Sequence, residues 1–100
     1  MDISAEMVAQ VLTAAGNIAV ENESYREAEN LYGDALFYVE QAYGPKSHQA
    51  ATLYRWLAEV ALLQGKTAES ALFMKRVDEI NRAYRKANSE PGIMDLLCSL

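Results

Sequence analysis

Few residues in this chain are placed to do covalent chemistry. The single histidine, His48, and the single cysteine, Cys98, stand fifty positions apart, a weak dyad at best. No glycine-rich phosphate loop, paired-histidine metal motif or nucleophile elbow occurs. The carboxylates are plentiful, but their spacing puts them on solvated helix faces, where nothing points to a shifted pKa. No enzyme is expected, and no cofactor or metal. His48 starts a helix beside a turn and is expected to be exposed. Trp56 borders an apolar stripe, either packed between helices or open in a groove, with packing favoured. The tyrosines at 25, 32, 38, 43, 54 and 84 follow helical spacing and suit a core better than a stacking platform.

Composition narrows the partners further. With 51% hydrophobic and 23% charged residues, 100 residues make one globular domain. The net charge of −5 argues against nucleic acid or an anionic membrane as the main partner, since both require a basic footprint. The charge is uneven: residues 1–44 carry eight acids and one base, and residues 45–100 carry six acids and eight bases. A lone cysteine precludes an internal disulfide and fits a reducing cytoplasm. There is no signal-peptide pattern, and no apolar run nears the roughly 20 residues needed to span a bilayer.

The apolar spacing predicts four helices and no strand. Met7, Val8, Val11, Leu12, Ala15, Ile18 and Ala19 form one face of a helix over 5–20, capped by Ser4. Ser24 and Glu27 read as a capping box for a second helix, which carries Tyr25, Ala28, Leu31, Tyr32, Ala35, Leu36, Val39 and Ala42 inward. Gly44 and Pro45 end it, and Gly33 in its middle either allows a close crossing or is merely tolerated. Ser47 caps a third helix from about His48 to Gln64, with Leu53, Tyr54, Leu57, Val60 and Ala61 inward and Gly65 as its stop. A fourth, from about Thr67 to Ala87, presents Ser70, Phe73, Met74, Val77, Ile80 and Tyr84. Residues 88–92 break the pattern, and Pro91 fits the start of a short fifth helix.

The helices echo one another. Forty-two positions separate Ala28 from Ser70, Leu31 from Phe73, Tyr32 from Met74 and Ala35 from Val77, so small residues align with small and bulky with bulky. Together with Leu12, Ala15, Gly16, Ala19 and Tyr25 in the first unit, and Tyr54, Leu57, Ala58, Ala61, Gly65 and Thr67 in the second, this pattern resembles tetratricopeptide repeats. The 42-residue period, and the run Tyr25, Glu27, Ala28, Glu29, Leu31, Tyr32, Ala35, Leu36, Gly44, Pro45, Ala50, Leu53, are similar to the repeats of kinesin light chains and related bacterial proteins. The resemblance covers about residues 8–87. It implies an all-α fold of antiparallel helix pairs stacked as an α-solenoid: repeat one over about 5–44, repeat two over about 47–87, and a C-terminal tail or capping helix over 89–100.

The same resemblance implies a concave groove lined by the first helix of each repeat. Its positions pair at the repeat spacing as Gln10 with Thr52, Thr13 with Arg55, Asn17 with Glu59 and Val20 with Leu62. Thr13, Asn17, Arg55 and Glu59 are the expected polar contacts, with Gln10, Thr52 and Leu62 beside them. Asn17 matches an asparagine with which some members hold a peptide main chain or terminal carboxylate. Thr13 stands where those members carry a lysine, and Glu59 replaces their next asparagine, so an acidic C-terminus is not the expected ligand. The implied function is a protein–protein adapter that binds a protein or peptide. The alternative is a homo-oligomer built by end-to-end stacking or through the tail residues Ile93, Met94, Leu96 and Leu97. A third reading makes the chain one end of a longer array.

Overall fold

The structure is a computed structural model that describes residues 3–88, with side chains through residue 86. All regular structure among the described residues is helical: α1 (Ala5–Glu21), α2 (Tyr25–Tyr43), α3 (His48–Leu63) and α4 (Thr67–Asn88). Two serines start helices as expected. The Ser4 and Ser47 hydroxyls each accept a backbone N–H three residues on, from Met7 and Ala50, both at 3.1 Å. Ser24 makes no such side-chain bond, so the expected capping box does not form. Its backbone is committed elsewhere, because the Ser24 N–H closes the previous helix on the Ala19 carbonyl at 2.8 Å.

That closure is the same in both halves of the chain. After α1, Ser24 N–H bonds to Ala19 O and Glu23 N–H to Val20 O; after α3, Lys66 N–H bonds to Ala61 O and Gly65 N–H to Leu62 O. Both are left-handed helix stops of the Schellman type. Gly65 takes its positive φ of 78° without steric cost, whereas Glu23 holds φ 60° with a side chain attached. The turns are so short that α2 folds back on α1, and α4 on α3. The remaining substantial packing is α2 against α3, so the helices lie in chain order.

Small residues set the helix separations. Ala28, Ala35, Ala50 and Ala61 are wholly buried, with Ala9, Ala19, Ala51 and Ala58 nearly so. Backbones can approach where side chains are this short. The larger core residues, including Tyr32, Leu53, Leu57, Val60, Val77 and Ile80, fill the space that remains. One polar side chain is buried with them: the Ser70 hydroxyl donates to the Ala58 carbonyl at 2.8 Å. At the equivalent position of the first half stands Ala28, with no hydroxyl to satisfy.

Several expected core residues face out. Met7 is 54% exposed, Val11 69% and Ile18 58%, because α1 has only α2 as a substantial neighbour and turns one of its two apolar faces away. Tyr84 and Met74 on α4 are exposed for the same reason, and Ala42 near the end of α2 is exposed as well. The expected short fifth helix lies outside the described residues.

The close crossing also falls elsewhere than at Gly33, where an added Cβ would meet nothing within 4 Å. It falls at Gly16, where a Cβ would stand 2.5 Å from Tyr32 Cε1 and 2.7 Å from Cδ1. Identical substitutions should therefore have opposite signs. Gly33→Ala should stabilise the protein by about 1 kcal/mol through helix propensity, and Gly16→Ala should destabilise it by about 1–2 kcal/mol through overpacking. Urea unfolding of the two variants checks both. Glu23→Gly should stabilise by about 1 kcal/mol by relieving the left-handed conformation, and a lower Tm for that variant would contradict it.

Candidate functional site

A cleft of about 420 Å³ runs between α1 and α3, with α2 as its floor. From α1 it takes Glu6, Ala9, Gln10, Thr13, Ala14 and Asn17; from α3, Gln49, Thr52, Leu53 and Trp56; from α2, Val39 and Tyr43. A second hollow continues it past Asn17 and Trp56, which line both, to Val20, Glu21, Tyr32, Glu59, Val60 and Leu63. The result is one groove along the first helices of the two pairs.

Helical spacing explains who lines it. On α1, residues 6, 10, 13 and 17 share one face, and on α3, residues 49, 52, 56 and 59 share the facing one. Gln10, Thr13, Asn17 and Thr52 line the main cleft, and Glu59 lines its continuation. Arg55 and Leu62 are exposed on α3 and line neither hollow. The tail positions Ile93, Met94, Leu96 and Leu97 lie outside the described residues.

The threonines bring less polarity than their type implies. Thr13 Oγ1 donates to the Ala9 carbonyl at 2.7 Å, and Thr52 Oγ1 donates to the His48 carbonyl at 3.1 Å. Each hydroxyl hydrogen is thus used within its own helix, which leaves the oxygen as an acceptor. Asn17 is different. Its Oδ1 accepts the Tyr32 hydroxyl, which orients the amide and leaves its two N–H donors for something else.

The Tyr32 ring is buried against α1 and lies 5.6 Å from the Trp56 ring, tilted by 44°. Such a pair contributes about 0.5–1.5 kcal/mol beyond its burial. Trp56 is half-buried, packed on the core by one side and lining the groove by the other, so both of its expected environments apply. His48 is exposed, and its ring stands 5.9 Å from that of Tyr84.

Three further residues matter here: Glu6 and Glu21, which the sequence reading left unassigned, and Tyr43, expected in the core but exposed at the end of α2. Glu6 and Tyr43 close one end of the groove, and Glu21 stands near the other. Glu6 and Glu21 stand one turn before Gln10 and one turn after Asn17 on the same face, a signal open to spacing, whereas Tyr43 reaches the groove only because α2 forms its floor. Every charged side chain lining either hollow (Glu6, Glu21, Glu59) is a carboxylate. Hydrogen bonding, burial and these charges all act on the two phenols. Tyr43 is held above its ordinary pKa by hydrogen bonding to Glu6, with some desolvation. Tyr32 is raised by burial and then by the charge of Glu59.

Among the described residues no group of three or more His, Cys, Asp or Glu could hold a metal ion, and no helix is long and apolar enough to cross a membrane. The groove offers amide donors, acceptor oxygens, an indole face and negative charge. That set suits non-covalent recognition of a chain with its own amides and cations.

Raising the Tyr32 pKa above 10.0 has a definite sign. The neutral phenol is favoured in the folded state, so its contribution is complete below the unfolded value and is lost as pH rises through the folded one. Tyr32→Phe should cost about 1 kcal/mol at pH near 8 through the lost hydrogen bond. That deficit should shrink above pH of about 10 as the wild-type phenol ionises. Urea melts of both proteins across this range check it, and a constant difference would refute it. No family model, curated protein or solved structure matches the chain, so the groove's own geometry carries the functional reading.

Proposed function

We propose that the chain is a protein–protein interaction module of the tetratricopeptide kind. Its two helix pairs are units of an α-solenoid, and the groove between α1 and α3 binds an extended peptide segment of a partner. The observation that carries this reading is the Asn17 amide. It is oriented from below by the Tyr32 hydroxyl and stands where both hollows meet, beside the single tryptophan. An amide held this way can bond a peptide carbonyl without paying the full entropy of ordering a free side chain.

The lining also favours one kind of peptide. With Glu6 at one end and Glu21 and Glu59 at the other, a segment bearing Lys or Arg meets opposite charge along the groove. An acidic tail meets repulsion. The lone cysteine fits an adapter that works in a reducing cytoplasm.

Trp56 supplies the assay, as the only indole in the chain. Peptides selected on the immobilised protein should be enriched in Lys and Arg, and should change Trp56 fluorescence on titration. Asn17→Ala should weaken them about tenfold, and Glu59→Gln should weaken them and flatten the salt dependence. Arg55→Ala, outside both hollows, should leave affinity unchanged. Selection that returns no peptide, or binders indifferent to Asn17 and Glu59, would reject the groove as the site.

A further inference from the structure

The two ends of the groove differ in charge. Helices α1 and α3 run parallel along it: Glu6 and Gln49 line the main cleft near their starts, and Glu21 and Leu63 line the second hollow at their ends. Both positive helix ends thus lie at the cleft and both negative ends at the hollow. At the cleft the charge is answered within the chain. Glu6 sits in the first turn of α1, where the dipole favours a carboxylate, and the Tyr43 hydroxyl hydrogen-bonds to it. At the hollow the charge is not answered. Neither α1 nor α3 has a basic residue in its last turn, whereas α4 carries Arg85 and Lys86 there. Glu21 and Glu59 add two carboxylates, one from each wall, and neither makes an ion pair among the described residues. The nearby cations of α3 and its following turn are placed elsewhere: Arg55 lines neither hollow, and Lys66 is held by Glu29 at 3.3 Å.

The rest of the hollow is mostly apolar. Val20 and Leu63 flank the carboxylates, the buried Tyr32 and Val60 lie beneath, and Trp56 stands at the boundary with the main cleft. A side chain suited to it is cationic at its tip, apolar along its stem and able to lie on an aromatic ring. Lysine and arginine both have the charge and the stem. Only arginine presents a planar fork of N–H donors that can reach carboxylates on two walls at once, and its guanidinium stacks on an indole. A peptide's terminal amine has the charge without the stem.

Given that the groove holds a peptide, we infer that the second hollow is a pocket for an arginine side chain and that the main cleft takes an apolar side chain of the same peptide. Ala9, Ala14, Val39 and Leu53 give the main cleft its apolar surface. The middles of the two hollows lie about seven positions apart on each helix, or about 10 Å at the helical rise. An extended peptide covers that distance in about three residues. The ligand is therefore read as an apolar residue and an arginine about three positions apart, with the Asn17 amide on the main chain between them.

Peptides blocked at both ends and selected from a randomised library on the immobilised full chain should carry Arg in preference to Lys, with an apolar residue about three positions away. In a selected peptide, replacing Arg by Lys should weaken binding about fivefold, and replacing it by neutral citrulline more than about tenfold, read from Trp56 fluorescence. Glu21→Gln and Glu59→Gln, both at exposed positions, should each lower affinity for the Arg peptide about fivefold. Together they should bring the Arg and Lys peptides within about twofold of each other. Glu6→Gln should cost less than either. Peptides that need Asn17 but accept Lys as well as Arg, or that respond more to Glu6→Gln than to Glu21→Gln, would overturn the arginine pocket and leave the groove a peptide site. An unblocked peptide without a basic side chain that binds as tightly would overturn it too, in favour of a terminal amine. Selection that returns no peptide, or binders indifferent to Asn17→Ala, would remove groove and pocket together.

Discussion

Tyr32, on α2, touches both α1 and α3, and the arrangement of these three helices depends on how closely its ring can lie against α1. Gly16 provides the space, for there is no room there for even one methyl group. The ring then fills what would be a gap between α1 and α2, its hydroxyl reaches Asn17, and its other side meets Trp56 on α3. A buried side chain of this size stabilises by a few kcal/mol through area alone. Its position has a second effect, since the same ring that packs the core fixes the donor and the indole that meet at the middle of the groove. The packing of the core and the lining of the groove are coupled through one phenol.

The second half of the chain fills the corresponding space differently. There Ala58 stands at the position of Gly16, and Met74, at the position of Tyr32, is exposed where Tyr32 is buried. Ser70 replaces Ala28, and its hydroxyl is absorbed by the Ala58 carbonyl. Tyr54 replaces Leu12 and pairs with Phe73 at 6.3 Å, with the Arg76 guanidinium 5.9 Å from the Tyr54 ring. Those contacts bring aromatic packing to α3 and α4 that the first pair places between α1, α2 and α3 instead. The two halves match at the turn where the first helix ends and the second begins, and differ in what fills the space between.

Helix limits were legible in the sequence because they depend on local chemistry. Ser4, Ser47, Gly44 and Gly65 act within a few residues of themselves, and the structure uses all four. Glu23 was hidden, since nothing in a glutamate announces positive φ; only its alignment with Gly65 could have revealed it. Burial on α1 was misjudged at Met7, Val11 and Ile18 because periodicity reports that a face is apolar and cannot say whether a neighbour covers it. Gly16 and Gly33 look alike along the chain and differ only in what crosses them. For the groove, the resemblance with its repeat spacing placed Gln10, Thr13, Asn17, Thr52 and Glu59 along it; Glu6 lies one turn before Gln10 on the same face, while Tyr43 required knowing which helix forms the floor.

The order of the helices in space has a kinetic consequence. Each packs substantially only on its neighbours in sequence, with α2 and α3 in the middle and α1 and α4 at the ends. Contacts so local close small loops, which favours fast folding. They also make unfolding a matter of position. The central pair is held from both sides, whereas an end helix can detach with the loss of a single seam, so amide exchange should be slowest in α2 and α3 and fastest toward the outer ends. The groove has one wall on each kind of helix, fixed on α3 and detachable on α1. A ligand bridging the two would slow exchange far more in α1 than in α3, making an end helix of the fold the more sensitive reporter of occupancy.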